Sequence, residues 1–92
     1  MKSAYELAME RLEQQAPSVK LSEEQKAGIA EIDSKAKAKT AERELFLDEQ
    51  IAKARAAGQL GEVAAIEKQK ISELRRIAEE AEEKKERVRR NG

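Results

Sequence analysis

Residues 55–62 read RAAGQLGE, and the fold turns on whether the chain reverses there. Gly58 can adopt the left-handed conformation that ends helices, because it has no Cβ to clash. Gln59 then stands at an N-cap position, with Glu62 three residues on, so a new helix starts at about Leu60. Upstream, nothing from Glu23 to Ala57 breaks a helix, and downstream nothing does so from Leu60 to Arg89 or Arg90. At ~1.5 Å per residue these helices span roughly 50 and 45 Å. A short glycine-containing turn between two long helices predicts an antiparallel hairpin. The alternative is a continuous rod pairing with other chains. Proline at position 59 separates the two, since a hairpin turn tolerates it and a rod does not.

The apolar spacing points the same way. Upstream, Ile29, Ile32, Ala36, Thr40, Arg43, Leu47, Ile51, Ala54 and Gly58 repeat in steps of three, four and four; downstream, Val63, Ile66, Lys70, Leu74, Ile77, Ala81, Lys85 and Val88 do likewise. Eleven residues over three turns is ~3.67 per turn, a coiled-coil-like packing with a straighter path than a heptad coil. Thr40, Arg43, Lys70 and Lys85 are imperfections in an otherwise apolar frame. A fold at Gln59–Leu60 makes opposed residue numbers sum to ~119, placing Lys70 level with Glu49. Ala36, Ala41, Ala78 and Ala81 then line a middle with little area to bury.

Within residues 44–52, ELFLDEQIA, Leu45, Phe46 and Leu47 are consecutive. They sweep ~200° around a helix, more than one neighbour covers. One side of this girdle is expected to face the hairpin partner and the other a second copy of the chain. The expected oligomer interface is Leu45, Phe46, Leu47 and Ile51 with Ile71, Leu74 and Ile77. Closed homo-oligomers are most often two-fold dimers, so a homodimer forming a helical bundle is the favoured assembly.

Ahead of the hairpin, Ser3 and Glu6 have capping-box spacing, so a first helix runs over about 4–16. Tyr5, Met9 and Leu12 form its apolar stripe, which packs on its own hairpin or swaps onto a neighbour. Pro17 ends it. Residues 17–22 are a linker, and Ser22 with Gln25 repeats the cap spacing at the start of helix 2. The expected architecture is one all-α domain over 1–92: a short helix, then the long hairpin.

Composition bounds the chemistry. Ala, Glu, Lys, Leu and Arg make up 59 of the 92 residues, and three Val, one Thr and two aromatics leave little to build a sheet. Histidine and cysteine are absent. That removes the commonest general base, the thiolate nucleophile and Cys/His zinc patterns. No phosphate-binding glycine motif occurs, since Gly58 and Gly61 form a turn pair. Glu79, Glu80, Glu82 and Glu83 could be read as a cation site. Glu80–Lys84, Glu83–Arg87 and Glu86–Arg90 are however helix-surface pairs at i,i+4, the simpler reading. No enzyme, cofactor or metal is expected. Nineteen basic residues balance nineteen acidic ones, and no apolar run of ~18 residues exists, so the expected setting is cytoplasmic with no membrane partner.

One electrostatic feature remains. Lys84, Lys85, Arg87, Arg89 and Arg90 cluster at the end. They are candidate phosphate contacts, and a nucleic-acid-binding helical module is the alternative function. Complementing the negative C-terminal end of helix 3 explains them without any partner, and nucleic acid is not the expected ligand. The segments MKSAYELAMERL, PSVKLSEEQKAGIAEIDSKAKAK and AERELFLDEQIAKARAAG resemble small uncharacterised bacterial all-helical proteins over roughly the first sixty residues. The long hairpin is also similar in gross shape to the helical arms of seryl-tRNA synthetases. The first resemblance implies a helical bacterial protein and no particular activity. The expected role is non-enzymatic: a structural or protein–protein interaction module that self-associates, with room for an unidentified protein partner.

Overall fold

The computed structural model describes residues 3–15 and 21–91, with side chains from 12 to 15 outside that description. Three helices follow in order: α1 (Ala4–Gln15), α2 (Glu23–Ala56) and α3 (Leu60–Arg90). No strand occurs among the described residues. The molecule measures 60 × 33 × 17 Å.

Local chemistry sets the ends. Glu6 N–H donates to Ser3 Oγ at 3.2 Å, capping α1. Ser22 and Gln25 form the full reciprocal box: Gln25 N–H donates to Ser22 Oγ at 3.1 Å and Ser22 N–H to Gln25 Oε1 at 2.7 Å. Gln25 does more, donating from Nε2 to the Val88 carbonyl at 2.9 Å. That carbonyl belongs to the last turn of α3, which has no helical donors left. One side chain thus caps the start of α2 and ties the hairpin's open end. At the other end Gly58 has φ +72°. Gln59 N–H donates to the Ala54 carbonyl at 2.9 Å and Gly58 N–H to the Arg55 carbonyl at 3.1 Å, the paired bonds of a Schellman ending, so proline at 59 would remove the first of them and the turn does not tolerate it freely. Gln59 makes no side-chain cap bond.

The two long helices pack against each other. Ion pairs record an antiparallel register: Asp48–Lys70 at 2.8 Å, Arg43–Glu73 at 2.9 Å and Asp33–Lys85 at 2.9 Å. These pairs sum to 118, 116 and 118, close to the ~119 expected from a fold at Gln59–Leu60. Every frame position from Ile29 to Ala54 and from Val63 to Val88 is buried or half-buried. The core proper is Leu47, Ile51, Ala54, Val63, Ile77 and Ala81. Near the turn Ile51, Ala54 and Val63 cluster, with Ile66 packed on them.

Two details differ from the sequence reading. Lys70 pairs with Asp48 and not Glu49, because one residue is ~100° around the helix and Glu49 points outward. Ala41 and Ala78 are exposed; Thr40 and Ile77, one position away in the frame, take the seam.

Gly28 offers a simple stability test. A Cβ there would meet the Val88 methyls at 3.8 and 4.0 Å, ordinary contact distances. Gly28→Ala is expected to stabilise by about 0.5–1 kcal/mol, since glycine costs that much inside a helix. Melting followed by circular dichroism should rise by about 5 °C. Gly58→Ala should move the other way, because φ +72° penalises any Cβ.

Candidate interaction surface

The sequence-predicted interface divides into buried and exposed members. Leu47 is 2% exposed, and Ile51 and Ile77 are also buried between α2 and α3. Leu74 is half-buried in the same seam. These four are therefore turned mainly into the hairpin seam, and Ile77 keeps only an 8% exposed edge at the floor of an open groove. Leu45 at 66%, Phe46 at 48% and Ile71 at 61% are exposed.

The exposed three lie on two faces. Ala41, Leu45 and Ala52 share one edge of α2 through spacings of four and seven. Ile71 lines a groove with Asp48 and Ala52, and Ala78 one with Ala41, so Leu45 and Ile71 look out from the same side. Phe46 points to the other side. The Arg43 guanidinium lies 5.0 Å from its ring centroid, a cation–π distance. The same guanidinium donates from Nη2 to both Glu73 carboxylate oxygens at 2.9 and 3.1 Å. Further along the Phe46 face, Ile32, Ala36, Ile77 and Ala81 floor an open groove. Lys35 and Lys39 rim it on the α2 side, Glu80 and Lys84 on the α3 side.

The frame's polar positions have partners. Arg43, Lys70 and Lys85 each reach a carboxylate on the opposite helix, and Lys85 also meets Glu82 at 3.1 Å. In an alanine-rich stretch that buries little area, such pairs select the register, because a slip by one turn breaks all three. Hydrogen bonding to Asp48 raises the Lys70 pKa, and bonding to Asp33, then Glu82, raises that of Lys85. The bond from Lys85 holds the Glu82 carboxyl low.

The Glu82 contribution is present above its unfolded pKa of about 4.3 and is lost as pH falls through the lower folded value. The lysine contributions are complete below about 10.4 and are lost as pH rises through their raised folded values. The melting temperature should therefore be level between about pH 5 and 10 and decline on both sides. In 1 M salt both declines should shrink, since exposed charges are screened there.

α1 makes no contact with α2 or α3 among the described residues. Tyr5 is 74% exposed and Met9 42%, so neither packs on its own hairpin. The Leu12 side chain and the connection over 16–20 lie outside the described residues. Of the basic residues near the end, Lys85 is bound as above. Arg87 pairs with Glu83 at 3.0 Å, and Arg89 and Arg90 with Glu86 at 3.0 and 3.6 Å. A phosphate would compete with each of those carboxylates. Among the described residues no helix is long and apolar enough to cross a membrane.

Comparisons with family models, with curated proteins and with solved structures return no match.

Proposed function

We propose that this chain is a non-enzymatic structural or protein–protein interaction module that self-associates, a homodimer being the simplest closed form. One observation carries the reading. Leu45, Phe46 and Ile71 stand outside the seam at 66, 48 and 61% exposure, next to a Leu47 that is 2% exposed. The hairpin has only six buried side chains in its core. Burying those three between copies adds apolar area that two helices cannot supply alone, at about 25 cal/mol per Å².

An oligomer melts at a temperature that depends on concentration, because dilution favours dissociated and unfolded chains. The midpoint should rise by several degrees over a hundredfold increase in protein concentration. A midpoint independent of concentration across that range counts against the proposal.

A further inference from the structure

We propose that α1 of a second copy docks into the groove floored by Ile32, Ala36, Ile77 and Ala81, running parallel to the α2 that receives it. This rests on the self-association reading, within which it is a separate contact.

A helix of 12 residues is marginal in water unless its apolar side is packed. In the single chain Tyr5 and Met9 are exposed. Glu6 and Glu10 follow each of them by one residue, so an acidic row runs ~100° around from the apolar row. Arg11 lies toward the opposite edge, in the row of Ala4 and Ala8. The groove is asymmetric in the complementary sense: Lys39 and Lys35 on the α2 rim, Lys35 exchanging its exposed 3.0 Å pair with Glu31 on docking, and Glu80 and Lys84 on the α3 rim.

Handedness fixes the direction. A right-handed helix advances clockwise when viewed from its N-terminus. With Tyr5 and Met9 facing the floor and α1 parallel to α2, Glu6 and Glu10 lie along Lys35 and Lys39, and Arg11 faces the rim that holds Glu80. The antiparallel direction inverts the match, putting Arg11 beside the two lysines.

The tether then selects the occupant. A chain folding back on itself through a short connection runs α1 antiparallel to α2, the mismatched direction. To dock parallel on its own groove, α1 would place Gln15 about 30 Å along α2 from Ser22. The seven residue steps between Gln15 and Ser22 reach at most about 24 Å. A second copy has no such constraint, because its own α2 can start beyond the Gln15 end of the docked helix.

The test uses the full chain, which contains no cysteine. Met9→Cys with Ala36→Cys is oxidised and run on a non-reducing gel, beside sedimentation of the unmodified protein. The expected product is a covalent dimer. Lys35→Glu with Lys39→Glu in that background should cut its yield about tenfold, equivalent to roughly 1.4 kcal/mol. Adding Glu6→Lys with Glu10→Lys should restore it. A disulfide within one chain overturns the exchange. An oligomer by sedimentation that forms no such bond overturns the placement of α1 and leaves the self-association reading standing. A monomer by sedimentation overturns both. Yields indifferent to the charge reversals, in variants that keep their helix content, overturn the parallel orientation.

Discussion

Leu47→Ala is expected to destabilise the protein by about 2–3 kcal/mol, the lower part of the range for a buried leucine. For a chain of this size that lowers the melting temperature by about 10–15 °C. The reason is local. Leu47 is 2% exposed, the least exposed member of the core. By the ion-pair register it stands at the level of Lys70, between the apolar cluster at the turn and the alanine-rich middle. Its neighbours along the α2 frame are Arg43 and Ile51, so on the Arg43 side the seam already relies on an ion pair to Glu73. A seam of two helices has solvent on both flanks and can relax around the truncation, which places the cost below that of a leucine deep in a globular core. Leu45→Ala, two residues away and 66% exposed, should change the melting temperature of the isolated chain by only a degree or two. Paired melts of the two variants at low concentration read this contrast directly.

The second large effect concerns assembly. Replacing Leu45, Phe46 and Ile71 together by glutamate leaves every buried seam position untouched, so helix content should stay close to that of the parent. Three charges then stand where apolar contact between copies is proposed, and an unpaired charge in such a contact costs far more than the lost apolar area. The mass in solution should fall toward that of one chain, 10.3 kDa. Loss of helix along with mass would mean that the three side chains support the hairpin itself.

Much of the hairpin was legible in the sequence, because two independent signals agree on it. Gly58 marks the reversal, and the eleven-residue spacing appears on both sides of it in the same order of steps. The positions that looked like flaws in that spacing are informative in the structure: Arg43, Lys70 and Lys85 are half-buried and each is answered by a carboxylate across the seam. Spacing alone places a lysine in the frame but does not identify its partner. Asp48 and Glu49 carry the same charge and differ by ~100° in direction.

The interface was less legible, for a related reason. Leu45, Phe46 and Leu47 are equivalent in composition, and only the helix phase decides that Leu47 goes inward while the other two go out. The same phase turns Ile51, Leu74 and Ile77 into the seam. The groove proposed to receive α1 was not legible either. It is built from two sequence-distant stretches, 32–39 and 77–84, and the asymmetry of its rims emerges only once the register brings Glu80 and Lys84 opposite Lys35 and Lys39.

Sedimentation equilibrium of the unmodified protein at micromolar concentration is the most direct test of self-association. Self-association requires a weight-average mass well above 10.3 kDa that rises with loading concentration and drops in the triple glutamate variant. A mass fixed at one chain throughout, with Leu45, Phe46 and Ile71 intact, would contradict it.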